Sequence, residues 1–157
     1  MTVQVAVCGP RDCSAVEADH AREVGRLLAE RGVVVICGGG GGVMAAAASG
    51  ARAAGGVVVG VRPGDTREGS SPDLIATLVT NMGEARNAVI VWSADAVVVV
   101  GGSWGTLSEV ALAMWRESVP VVSLGGWRVL DASGAEVPGI VSVSTPAGAV
   151  RSALAGL

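Results

Sequence analysis

The chain has 157 residues, a formal charge of −3 and a composition that is half hydrophobic, the size of one domain with enough apolar residues for a sizeable core. All eleven cations are arginine; with no lysine present, Schiff-base chemistry on pyridoxal phosphate and the lysine-bearing phosphate loop are excluded. There is no basic run to follow a nucleic acid, no apolar stretch near the ~20 residues of a membrane helix and no basic opening of a secretory signal, so a cytoplasmic protein is expected.

In chain order, VQVAVCG (Val3 to Gly9) reads as a buried strand. Ser14 to Arg31 reads as a helix, with Val16, Val24, Leu27 and Leu28 at helical spacing and Gly32 as its stop. Val33 to Cys37 is a second strand that ends in five glycines, and VMAAAASGARAA a short alanine-rich helix. A third strand at Val57 to Val61 precedes a polar loop, Arg62 to Pro72, and LIATLVT is a fourth strand. A helix from Asn81 to about Ser93, with Asn81 as its cap, precedes a fifth strand, DAVVVVGG, and a helix from Thr106 to Glu117. VPVVSLG is a sixth strand. An excursion from Trp127 precedes a seventh near Ile140 to Val143, and Thr145 and Pro146 open a last helix.

The strands are continuously apolar rather than alternating, the pattern of strands buried on both faces of a parallel sheet. Strand and helix alternate, which gives βαβ units. The predicted fold is a single doubly wound, Rossmann-like α/β domain over residues 1–157, with a mostly parallel sheet of about seven strands and helices on both faces. Right-handed crossovers bring the loops CGPRDCS, CGGGGGVM and GGSWGT to one edge of that sheet, where such folds bind ligands.

A strand–glycine–helix junction aims backbone N–H groups and the positive end of a helix dipole at one point, which suits a phosphate or carboxylate. Gly9, then Gly39, Gly40 and Gly41, then Gly101, Gly102, Ser103 and Gly105 are the candidates; tight turns and close packing are the alternative use of these glycines. Neither glycine loop has dinucleotide spacing, so a mononucleotide or phosphorylated small molecule fits better than a nicotinamide cofactor. Thr106 and Glu109 have the T-x-x-E spacing of a capping box, which competes with a role in a site. Arg86 falls near the start of its own helix, an unfavourable place for a cation at a cost of ~0.3–1 kcal/mol, unless an anion binds there.

The three cysteines have no zinc spacing, and Cys8 and Cys37 are expected to be small buried hydrophobes; no metal site is expected. His20, four residues from Val16 and Val24, is expected to flank a packed helix face. Trp104 could stack on a base or pack at a subunit contact. Trp115, with Leu112 and Met114, is expected in the core or a dimer interface.

GGSWGTLSE resembles the PGGxGTxxE motif of the LOG ("Lonely Guy", "lysine decarboxylase-like") family, and CGGGGGVMAAAASGA its second glycine loop. NMGEARNAVIVWSADAVVVVGGSWGTLSEVALA is more similar still to the molybdenum-cofactor carrier branch of that superfamily. LOG enzymes are phosphoribohydrolases that cleave the N-glycosidic bond of a nucleoside 5′-monophosphate. The resemblance implies that Gly101, Gly102, Gly105 and Thr106 hold the phosphate, and that Arg86 and Glu109 are the catalytic pair. Three departures favour the carrier branch: Val100 in place of the motif's proline, Asn87 after Arg86 in place of lysine, and Glu84 two residues before that arginine in place of histidine. The expectation is binding of a nucleotide, phosphate or molybdopterin-type ligand with no required cofactor, by a homodimer or higher homo-oligomer without nucleic-acid or membrane partners; the alternative is a nucleoside-monophosphate phosphoribohydrolase.

Overall fold

The computed structural model describes residues 1–157. Its strands are β1 (Gln4–Cys8), β2 (Val34–Cys37), β3 (Val58–Arg62), β4 (Ala76–Val79), β5 (Ala96–Val100), β6 (Val121–Leu124) and β7 (Ile140–Val143). Its helices are α1 (Ala15–Ala29), α2 (Val43–Ala53), α3 (Asn87–Trp92), α4 (Trp104–Arg116) and α5 (Pro146–Ala153), with a 3₁₀ turn at Gly83–Arg86. The strands form one sheet in the order β4-β3-β2-β1-β5-β6-β7, and every neighbouring pair is parallel. This is the predicted doubly wound α/β architecture, with a sheet that is parallel throughout.

The central strands are apolar along their whole length because both faces are covered. On one face Val5, Val7, Val35, Val98 and Val100 pack under residues of α1, α2 and α5; on the other Ala6, Cys8, Val97 and Val99 pack under α3 and α4. Val against Ala fills a thin gap, so the helices approach closely. A methyl group on Gly50 would lie 1.8 Å from the Arg22 carbonyl oxygen of α1, so only hydrogen fits there.

Local signals set most helix ends. Ser14 caps α1 in a full capping box with Glu17, and Gly32, at φ 71°, turns the chain toward β2. Thr145 caps α5, with Pro146 as its first residue. Three expectations are corrected. Asn81 does not cap a helix: it sits at φ 52°, and α3 starts only after the 3₁₀ turn, at Asn87. Val16 is exposed rather than on the packed face of α1. Trp115 is exposed too, its ring edge-on to Trp92, so it is not in the core.

The excursion from Trp127 to Gly139 is a small hairpin with a bridge between Leu130 and Glu136. The Asp131 carboxylate accepts from the Ser133 and Ala135 amides at its tip. Trp127 lies against Gly102, where a methyl group would come within 2.3 Å of the indole, and meets Trp104 edge-on at 5.1 Å.

Candidate functional site

The chain leaves β1 toward β2 on one side and β5 toward β6 on the other, so a crevice opens between the helices beyond these two adjacent strands. About 510 Å³ of space, continuous with solvent, lies there between Gly9, Pro10, Arg11 and Met44 on one wall and Ser103, Gly105 and Thr106 on the other; Glu84, Arg86, Asn87 and Glu109 complete it.

The β5–α4 junction forms one wall. Ser103 caps α4 by accepting from the Thr106 amide at 3.2 Å, and its hydroxyl lies 2.9 Å from that of Thr106. The cap is therefore Ser103, and Thr106 and Glu109 do not form a capping box: Thr106 is in the first turn, and Glu109 is 6 % exposed one turn further on. The amides of Trp104 and Gly105 have no acceptor within the protein, and Gly105 has open space beside it, its nearest neighbour being Ser103 Oγ at 3.9 Å from a methyl carbon built there. A helix N-terminus with unspent donors and no obstructing side chain is an anion seat.

Arg86 and Glu109 form the floor. Arg86 is 8 % exposed; its Nη1 lies 4.0 Å from Glu109 Oε1 and donates to Asn87 Oδ1 at 2.9 Å. The Asn87 amide donates to Ser108 Oγ, whose hydroxyl donates to the Gly105 carbonyl. This chain ties the arginine to the first turn of α4. Arg86 Nε is buried without a partner, an arrangement that leaves a charged donor available to a ligand. Burial pushes the Glu109 carboxyl up to about 7, against the opposing pull of Arg86 and of the Cys8 thiol. Glu109 is thus poised between neutral and ionised near neutral pH. Burial also holds Cys8 well above the usual thiol range and Cys37 at about 11, so both are protonated packing residues.

Of the residues singled out in the sequence, Gly9, Arg86, Ser103, Gly105, Thr106 and Glu109 line this crevice. Gly101 and Gly102 border the other flank: Gly102 lies against Trp127 and Gly101 faces Glu17 of α1, and the Gly101 amide already donates to the Leu124 carbonyl. Gly39 packs on Gly60, while Gly40 and Gly41 lie beside Arg11. Arg11, Met44, Glu84 and Asn87 join the lining without having stood out as ligand-binding residues in the sequence. Arg11 carried a signal, a cation two residues past the glycine that ends β1. Asn87 carried none beyond its place beside Arg86.

The SLOG cluster4 family model matches residues 2–150. The chain belongs to the SLOG cluster4 family. A protein of Archaeoglobus fulgidus is 43 % identical over 122 residues, 78 % of this chain and 80 % of its own. The molybdenum cofactor binding protein of the phototrophic bacterium Rippkaea orientalis superposes with a TM-score of 0.86 at 29 % identity, over 96 % of this chain and 94 % of its own. The molybdenum cofactor carrier protein of Chlamydomonas reinhardtii superposes at 0.83 and 34 % identity, over 96 % and 95 %. A DNA processing protein A from Helicobacter pylori, 16 % identical at a TM-score of 0.71, shares the fold alone. As a family member, this chain is akin to ligand-binding proteins. No helix is long and apolar enough to cross a membrane.

Proposed function

We propose that this protein binds a phosphorylated small molecule in the β1/β5 crevice, and that the ligand is a pterin-type cofactor of the molybdopterin class or a nucleotide. The observation that carries the reading is the convergence of the unpaired α4 amides, the Arg86 guanidinium and Arg11 on one crevice. Donors of this kind, fixed before a ligand arrives, favour a phosphate without reorganisation. The phosphate sits on the Trp104 and Gly105 amides with Thr106 beside them, Arg86 reaches its oxygens, and the body of the ligand lies toward Gly9 and Met44. The similarity to molybdenum cofactor carriers over 96 % of the chain supports the pterin class. The protein acts as a homodimer or higher homo-oligomer.

A second reading has one specific observation in its favour. Glu109 lines the same crevice with a carboxyl near 7, the range in which an acid–base group works at neutral pH. If a nucleoside monophosphate binds, its ionised form could steady the cationic sugar of N-glycosidic cleavage and orient water. Incubation with AMP and N6-substituted AMPs, followed by chromatography for free base, separates the two. The binding reading expects no base, together with saturable thermal stabilisation by phosphate compounds. Base release that vanishes in Glu109→Ala establishes the hydrolase instead, and absence of any stabilisation by phosphate compounds defeats both.

A further inference from the structure

The pentaglycine loop after β2 is flanked by three arginines, of which Arg62 lies outside the crevice lining that Arg11 and Arg86 share. A methyl carbon built on Gly40 would lie 3.1 Å from Arg62 Nη1 and 3.8 Å from Arg11 Nη2. One built on Gly38 would lie 2.8 Å from Arg86 Nη1. Three guanidinium groups thus border five residues of backbone. In a chain of net charge −3, neither Arg11 nor Arg62 has a carboxylate within 4.0 Å, and Arg86 has only Glu109, at that limit. Arg11 is exposed, but Arg62 is half-buried and Arg86 buried, and such cations are ordinarily paired.

Polar groups on Arg62 and on the loop after β3 are also unspent. Arg62 Nε and Ser70 Oγ are buried without partners, and Arg62 Nη2 meets only the Glu68 carbonyl. The amides of Gly40, Gly41 and Gly42 have no acceptor within the protein. The loop after β3, which carries Ser70, is held against the glycines by the Ser71 amide, which donates to the Gly39 carbonyl at 3.0 Å. Burial and the neighbouring charges of Arg11 and Arg86 lower the Arg62 pKa, as expected for cations gathered without an anion between them.

We infer that the pentaglycine loop, Arg62 and Arg11 form a second anion subsite, so that the ligand of this crevice carries two anionic groups, one on the α4 amides and one over Gly40. This rests on the proposal that the crevice holds a phosphorylated ligand, and narrows it to diphosphates or to a phosphate ester bearing a further oxyanion. Arg62 serves the second group alone; Arg11, present in both the crevice lining and the loop border, stands between the two.

Isothermal titration of the full-length protein with inorganic phosphate and inorganic pyrophosphate tests the subsite, with Arg62→Gln and, as a control for net charge, Arg52→Gln on the exposed face of α2. A charge-assisted contact to a second group is worth about tenfold in affinity or more. The wild type and Arg52→Gln should bind pyrophosphate at least tenfold more tightly than phosphate. Arg62→Gln should lose that preference while its phosphate affinity stays within about twofold. Equal affinity for the two probes in the wild type, equal weakening of both in Arg62→Gln, or the same loss in Arg52→Gln overturns the second subsite and leaves a single phosphate seat intact. Binding of neither probe overturns the phosphate-site proposal itself, and the subsite with it.

Discussion

Arg86 Nη1 and Glu109 Oε1 face each other at 4.0 Å, each on a side chain less than a tenth exposed, and the arginine spends its hydrogen bond on Asn87 rather than on the acid. The pair is close enough to feel each other's charge but is not locked in a bidentate bridge. That arrangement leaves the guanidinium a free Nε and leaves Glu109 able to change protonation state near neutrality. A tighter bridge would hold the acid ionised and occupy the cation.

Stability should therefore fall as pH rises through the window set by Glu109. Its carboxyl titrates at 4.5 when unfolded and at about 7 when folded, so between these values the folded chain binds the extra proton and each rise in pH favours unfolding. Below pH 4.5 the contribution is fully present; above pH 7 it is gone, a loss of about 3 kcal/mol at 1.36 kcal/mol per unit. Urea unfolding from pH 4.5 to 8 should show this slope in the wild type and not in Glu109→Gln. An identical slope in both proteins would contradict the burial-raised carboxyl.

Arg86→Met removes the cation that opposes the burial of Glu109. The acid should then titrate above 7, and the pH-dependent loss of stability should move to higher pH. NMR titration of a side-chain carboxyl label on Glu109 reads the direction. Phosphate binding should weaken at least tenfold in the same variant, the usual consequence of losing a charged hydrogen-bond partner.

Gly105 and Gly9 line the same crevice but should respond oppositely to alanine. At Gly105 the nearest atom is 3.9 Å from the added carbon, and alanine favours a helix by about 1 kcal/mol over glycine. Gly105→Ala should keep or raise the melting temperature while reducing phosphate affinity tenfold or more. At Gly9 the added carbon would lie 2.4 Å from the Val100 carbonyl oxygen and from Val43, so Gly9→Ala should cost about 1–3 kcal/mol by overpacking. Unchanged phosphate affinity in Gly105→Ala would mean that the helix start is not the anion seat.

Ser103→Ala removes the α4 cap and the hydroxyl contact to Thr106. A loss of about 1 kcal/mol in denaturant unfolding is expected. Ser103→Asp, which also caps, should restore stability but repel an anion from the neighbouring amides, so its phosphate affinity should stay low.

The sequence made the sheet legible because a run such as Ala96 to Val100 of β5 is apolar at every position, which only a doubly covered strand requires. It made Arg86 legible because a cation at a helix start is unusual. It misled at Asn81, whose side chain suits a cap but whose backbone is left-handed: Asn tolerates both conformations, and residue type alone does not choose between them. It misled at Thr106, where Ser103 supplies an equally good cap three residues earlier. Gly101 and Gly102 read like Gly105 in sequence, yet Gly101 faces Glu17 of α1 and Gly102 faces Trp127; which side of the loop a glycine faces depends on contacts with distant elements that local pattern does not encode. The Asn87–Ser108–Gly105 relay spans two helices and was equally out of reach.

The walls of the crevice come from residues 9–11 and 103–109, stretches far apart along the chain that meet only because β1 and β5 lie side by side. Neither stretch keeps the cradle if those strands part. A molecule lodged there would act as a clasp across the middle of the sheet, and its departure would loosen the seam where the two halves of the chain join.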